Sequence, residues 1–320
     1  MIMFIKNRIF IAIIIITTLI LISYIIFRPG DILLKVKANP DYGFNYGYYL
    51  YIPEGVKKSE IKYLLVEPNN TGRADDDITV HEKSAEKLIQ NGVCNEISKT
   101  LKVPLLVPTF SRPESNWRIY THALDRDTLQ NNEGDLSRID IQLINMINNA
   151  QKRLAKRSIV LEDKVLMHGF SASGNYTNRF AAIHPEKVKA VASGGVNSMP
   201  IIPATRWKGN ALPFHIGVGE LNRITGIDFN MVEYQKVAQF IYMGELDDND
   251  TLPYDDAFNK KERILVKEVL GEKMRERWEK SKLIFQKLNI SAEMVMYEGV
   301  GHKITTEIKE DIINFFKNNS

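Results

Sequence analysis

The stretch from Val165 to Gly174, Val-Leu-Met-His-Gly-Phe-Ser-Ala-Ser-Gly, constrains this chain more than any other. An apolar run leads into small residues and then into a segment able to start a helix. Gly169 and Ser173 flank Ser171 at i−2 and i+2. Small residues at those positions let the backbone turn so sharply that bulkier side chains would clash, and the serine Oγ is pushed out at the strand's C-terminal end. Ser173 stands where glycine is more usual. A serine in this place can also act as an ordinary helix N-cap, so the rest of the chain has to decide between the two.

The pattern around it alternates strand with helix. Strands are expected at Tyr46–Ile52, Ile61–Val66, Val103–Val107, Lys164–His168, Val188–Ala192, Val237–Met243 and Ala292–Tyr297. Helices are expected at Thr79–Asn91, at Leu136–Leu154 with its apolar stripe Ile139, Leu143, Met146, Ile147 and Ala150, at Ala172–Ile183, across 255–288 and near Thr305–Phe316. Strands separated by helices imply an α/β fold, a mostly parallel sheet with helices on both faces. One domain over 44–320 is expected, with 31–43 as a linker. The connection 197–235 is too long for a normal link between core strands. Its Pro200, Pro203, Trp207, Pro213, Phe214 and Ile216 are apolar enough to wall a pocket as a cap over Ser171, and an irregular surface excursion is the other option.

Ahead of this domain, Ile9 to Phe27 runs for 19 residues with no charged side chain. A helix of about 20 apolar residues crosses the hydrocarbon core of a bilayer. Lys6 and Arg8 precede it, Arg28-Pro29-Gly30 ends it, and Ser23-Tyr24-Ile25-Ile26-Phe27 offers no small-residue cleavage site. Residues 1–30 are therefore expected to form an uncleaved single-pass membrane anchor, one N-terminal transmembrane helix. The flanking charges do not decide its orientation. A short N-tail before one large domain favours an extracytoplasmic catalytic domain. The chain's 320 residues are 44% hydrophobic and 25% charged, ordinary for a globular protein, and its net charge of +3 gives no footprint for nucleic acid. A single cysteine, Cys94, excludes an intramolecular disulfide framework and any Cys-x-x-Cys zinc or redox site.

A serine hydroxyl is a weak nucleophile until an oriented base accepts its proton. Two later strand ends offer the missing groups. Phe240-Ile241-Tyr242-Met243-Gly244-Glu245-Leu246-Asp247 ends on a carboxylate, and Met294-Val295-Met296-Tyr297-Glu298-Gly299-Val300-Gly301-His302 ends on a histidine. Together with Tyr51-Ile52-Pro53-Glu54-Gly55, this order of serine, acid and histidine resembles the α/β-hydrolase superfamily over about residues 44–316. It looks most like the esterase and polyhydroxybutyrate-depolymerase-like branch, whose elbows often read Gly-x-Ser-Ala-small-Gly. The resemblance implies Ser171 as nucleophile, His302 as general base and then acid, and Asp247 as the carboxylate orienting the imidazole. Asp248 and Asp250 crowd the same loop and remain alternatives for the acid, because Pro253 comes two residues later than the usual spacing.

An oxyanion hole needs two backbone N–H groups. Ala172 should supply one, and the loop Pro68-Asn69-Asn70-Thr71-Gly72 the other, from Asn69 or Asn70. Among other polar residues, His168 reads as packed inside its strand. His122, with Trp117 and Tyr120, either lines a pocket or sits in a plain loop. His184-Pro185-Glu186 reads as a helix stop, and Asp75-Asp76-Asp77 as a solvated run at a helix start. His81-Glu82 lacks the second histidine of a zinc protease, and Gly217-Val218-Gly219 lacks the third glycine of a dinucleotide fingerprint. The expectation is a serine hydrolase for a carboxylic ester, with a small-molecule or lipid-like substrate and no cofactor or metal. A peptidase or thioesterase with the same triad, and a non-catalytic binding protein of this fold, are the alternatives.

Overall fold

A computed structural model describes residues 30–57 and 60–320. The run Ile9–Phe27, expected to span a membrane, lies outside the described residues. Among those described, no helix is long and apolar enough to cross one.

In chain order the elements are β1 (Ile32–Val36), β2 (Tyr48–Ile52), β3 (Lys62–Val66), α1 (Ile78–Asn91), α2 (Val93–Leu101), β4 (Leu105–Pro108), α3 (Arg126–Gln130), α4 (Ile139–Ala155) and β5 (Leu161–Phe170). They continue with α5 (Ala172–Ile183), β6 (Val188–Gly194), β7 (Arg206–Trp207), β8 (Asn210–Ala211), α6 (Leu221–Thr225), α7 (Met231–Tyr234), β9 (Ala238–Gly244), α8 (Lys260–Leu270), α9 (Met274–Lys287), β10 (Ala292–Tyr297) and α10 (Thr306–Asn319). Eight strands form one sheet in the order β1-β2-β4-β3-β5-β6-β9-β10. Only β2 runs against its neighbours; from β4 to β10 every pair is parallel.

Successive strand residues point to opposite faces, and the two faces carry separate cores. Leu64, Val66, Val165 and Met167 pack with α4 and α5 residues such as Leu143, Met146 and Phe180. Leu65, Leu105 and Leu166 pack on the other face with Ile89 of α1, Ile97 of α2 and Ile312 of α10. Because β5 is covered on both sides, its inner run is continuously apolar rather than alternating.

Two sequence expectations fail here. Residues 31–43 are not a linker, because β1 pairs antiparallel with β2, Ile32 opposite Ile52 and Val36 opposite Tyr48. As an edge strand it buries only Val36 fully, while Leu33 and Lys35 face water, so its own pattern is too weak to read as a strand. Nor does 197–235 form a cap over Ser171. Ile202, Phe214 and Ile216 join the core on the α4/α5 face, and Arg126 of α3 bonds the Phe214 carbonyl. Apolar side chains gain more in that core than over a polar pocket, and only Asn197, at the start of the segment, reaches the pocket beside Ser171.

Candidate active site

Parallel strands set their C-terminal ends along one edge, which is where loops can converge on a ligand. Ser171 follows β5, Asp247 follows β9 and His302 follows β10, so chain order brings all three to that edge. The loops after β9 and β10 are tied together: Glu245 N–H donates to the Tyr297 carbonyl and Leu246 N–H to the Val300 carbonyl, each at 2.8 Å. Asp247 and His302 are thereby held face to face. His302 Nδ1 lies 2.8 Å from Asp247 Oδ2.

Ser171 itself is in a backbone conformation that side chains rarely adopt, φ 64° and ψ −126°. Its Oγ makes no capping bond to α5, so the N-cap alternative does not hold. Its N–H donates to the Gly194 carbonyl at 2.9 Å, which clamps the turn to β6. The glycines show why the turn needs small residues. A Cβ on Gly169 would sit 2.1 Å from the Ser173 carbonyl oxygen, and one on Gly174 would sit 2.2 Å from the Gly194 carbonyl oxygen. Thus the close approach on the helix side falls at Gly174, one residue beyond the position expected for it. That leaves Ser173 free to use its hydroxyl, which accepts from Phe170 N–H at 3.0 Å and bonds the Phe170 carbonyl at 2.9 Å.

The acid loop separates its three carboxylates. Asp247 is buried on His302. Asp250 instead pairs with the fully buried guanidinium of Arg277 and accepts from Ser198 Oγ at 3.0 Å. Asp248 bonds neither group. Asn249, which sequence reasoning did not single out, donates through Nδ2 to His302 Nε2 at 3.1 Å. With Nε2 accepting, the imidazole proton sits on Nδ1 facing Asp247, the tautomer a base needs. Phe170 packs beside the ring, with centroids 4.6 Å apart.

Ser171 opens into a pocket of about 360 Å³. Ala172, Asn70, Asn249, Arg112, Tyr120 and Arg179 line it with the serine. Of the two asparagines expected at the oxyanion position, Asn70 reaches this pocket. Asn69 is buried beneath it, with its Oδ1 accepting from Phe110 N–H and its Nδ2 donating to the Phe110 carbonyl. His122 supports the same loop from below rather than lining the pocket. Its Nε2 bonds the Phe110 carbonyl at 2.9 Å, and burial pulls it down to about 3, so it stays neutral. Trp117 is exposed and faces a neighbouring groove. His81 bonds Thr71 Oγ1 and the Asp75 carbonyl, bracing the loop from its far side. Asp77 caps α1 through the Thr79 N–H.

His168 lies buried behind the elbow, 3.3 Å from Cys94 Sγ and 3.5 Å from Glu67 Oε1, with Tyr242 Oη at 3.0 Å from its Nε2. Glu67, Cys94 and His168 are the group among the described residues whose ligand atoms could share a metal ion. Burial pushes the Cys94 thiol well above its ordinary value, which favours the protonated thiol over the thiolate that a metal takes.

No family model and no curated protein matches the chain. Solved structures do. A poly(aspartic acid) hydrolase-1 from Sphingomonas sp. KT-1 superposes with a TM-score of 0.57 at 12% identity, covering 90% of this chain and 98% of its own. The poly(3-hydroxybutyrate) depolymerase of Bordetella parapertussis gives 0.53 at 14% identity, covering 91% of each chain. An S-formylglutathione hydrolase from Agrobacterium tumefaciens gives 0.51 at 10% identity, covering 91% of this chain and 95% of its own. Identities this low speak for the fold alone. With the parallel order β4-β3-β5-β6-β9-β10 and a serine held at positive φ between β5 and α5, they show that the chain has the α/β-hydrolase fold.

Proposed function

We propose that this protein is a serine hydrolase that cleaves a carboxylic ester. The observation that carries the proposal is the His302–Asp247 contact of 2.8 Å at the same sheet edge as an elbow serine that opens into a pocket. Ser171 Oγ attacks the ester carbonyl while His302 Nε2 takes its proton. Asp247 holds the Nδ1 proton and stabilises the imidazolium that forms. Negative charge on the carbonyl oxygen is met by the Ala172 N–H and by an amide of the 68–72 loop, with Asn70 the better placed of the two asparagines. His302 then returns the proton to the leaving alkoxide. Water repeats the sequence on the acyl-enzyme and releases the acid. For the first step His302 Nε2 exchanges its bond to Asn249 for one to Ser171, a tightening that apo sites of this kind commonly undergo on binding substrate.

A soluble chain from about residue 31, treated with a neutral fluorophosphonate, tests this directly. Labelling is expected in wild type and absent in Ser171→Ala. A folded wild-type protein that does not label would overturn the proposal in favour of a binding protein of the same fold. Matched ester, thioester and amide substrates would then assign the leaving group. The apolar run Ile9–Phe27 supports a second part of the proposal, that the full chain is held at a membrane surface with this domain on the extracytoplasmic side. Full-length protein recovered in the soluble fraction of lysed cells would contradict it.

A further inference from the structure

Ser171, Asn175 and Arg179 follow one another at four-residue spacing, on one face of α5, and all three line the same pocket. Arg179 is only 5% exposed. Its Nη1 donates to the Ala123 carbonyl at 2.8 Å. The other sheltered arginines each have a counter-charge: Arg112 has Asp256, Arg126 has Glu262, Arg138 has Asp140 and Arg277 has Asp250. Among the described residues, no carboxylate comes within 4 Å of Arg179.

Removing a guanidinium from water without a partner is costly, so a site that keeps one has a use for it. The acids that share the pocket are already engaged. Asp125 caps α3 by accepting from Thr128 N–H at 2.8 Å. Its burial lifts the carboxyl to about 6, so it stays mostly ionised at neutral pH, and it acts on Arg179 across the pocket without touching it. Asp256 faces Arg112, whose guanidinium lies over Tyr120, 3.5 Å from the ring centroid. Arg179 is therefore the buried cation in the pocket with no carboxylate in direct contact, Asp125 acting on it only at a distance. Burial lowers it only to about 10, so it remains a cation at neutral pH.

We infer that Arg179 receives a carboxylate carried by the substrate, so that the preferred ester is an acidic one with a free carboxylate a few atoms from the scissile carbonyl. A guanidinium fork matches a carboxylate in two parallel hydrogen bonds, which sets orientation as well as affinity. Eight residues of helix separate the two Cα atoms by about 12 Å. Helical side chains lean toward the N-terminus, which brings the arginine head back toward the serine and leaves room for a spacer of four to six atoms.

The inference rests on Ser171 being the nucleophile, and one experiment separates the two. Wild type is given charged and neutral esters of similar size: 4-nitrophenyl hydrogen adipate against 4-nitrophenyl hexanoate, and acetylated 4-hydroxybenzoate against 4-methylphenyl acetate. At least one charged ester should show kcat/KM about 100-fold above its neutral partner, as expected where a buried polar group is otherwise left unpaired. That ratio should collapse in Arg179→Gln and survive in part in Arg179→Lys. A wild-type enzyme that labels with the neutral fluorophosphonate but prefers neither charged ester overturns the inference and leaves the hydrolase intact. No labelling at all overturns the parent proposal. Should Arg179→Gln fail to fold, the wild-type ratio decides alone.

Discussion

Two histidine–aspartate pairs of almost the same length sit at opposite ends of the elbow helix region, in opposite surroundings. His302 Nδ1 lies 2.8 Å from Asp247 Oδ2, and His184 Nε2 lies 2.9 Å from Asp140 Oδ2. The difference is in what surrounds them. His302 keeps 24% of its side chain exposed, and its free nitrogen meets only the neutral amide of Asn249. His184 caps the C-terminal end of α5 and is 3% exposed. Asp140 there also takes two hydrogen bonds from Arg138, and Glu186 lies 3.8 Å from the other His184 nitrogen. The helix C-terminus and the carboxylates of Asp140 and Glu186 outweigh the cost of burial and favour a fixed imidazolium, a structural cation. A histidine that must shuttle a proton needs one face open. The pair alone does not mark a catalytic site; on the function proposed above, what sets His302 apart is its partial exposure and a neutral, exchangeable partner on Nε2.

Substitutions can break this comparison at either end. The largest effect is expected for Ser171→Ala and His302→Ala, each lowering kcat by about 10⁶ with an unchanged melting temperature, because triad members act as a unit. Asp247→Asn should lower kcat by about 10⁴ through the wrong imidazole tautomer. Near-full activity in Asp247→Asn, with loss in Asp250→Asn, would reassign the acid. Asp140→Asn should instead cost about 3–5 kcal/mol of stability by stranding Arg138 and His184, with ester turnover retained below the melting transition. Chemical denaturation followed by tryptophan fluorescence measures that cost.

A pH series sharpens the contrast further. Burial alone would raise the Asp140 carboxyl, but its bonds to His184 and Arg138 outweigh this and hold it at about 2. Burial alone would lower His184, but the same bond raises it above 6.5. The aspartate's contribution is present above 3.8 and is lost as pH falls toward 2; the histidine's is full below 6.5 and is lost as pH rises through its raised value. The melting-temperature gap between wild type and Asp140→Asn should therefore be widest between about pH 4 and 6.5 and narrow on either side. The smallest effect is expected for Asn249→Ala. Removing a donor that competes with Ser171 for Nε2 should raise the rate of fluorophosphonate labelling by up to about tenfold, the worth of one hydrogen bond.

Most of the sheet was legible because its inner strands carry their own signal. The strand expected at Val188–Ala192 falls within β6, which is found at Val188–Gly194, and α5 is found without a shift. Such segments are buried on both faces, so their apolar character survives any arrangement of neighbours. The edge strand β1 and the helix α2 were not legible. Each is stabilised on one side only: β1 by pairing with Tyr48–Ile52, and α2 by packing Cys94 and Ile97 under β4 and α10. His184 reads correctly as a helix stop, but its bond to Asp140 spans 44 positions and leaves no local trace.

The order of serine, acid and histidine, and the small residues that permit the elbow, follow from the sequence because strand ends and tight turns are local and depend on residue size and hydrophobicity. Tertiary structure decided which of three crowded aspartates meets His302, that Asn70 rather than Asn69 faces the pocket, that 197–235 joins the core, and that Arg179 is buried with no carboxylate in direct contact. Each of those depends on charges and carbonyls brought together from distant positions, and a hydrogen bond or an ion pair is a property of distance in space that no spacing along the chain encodes.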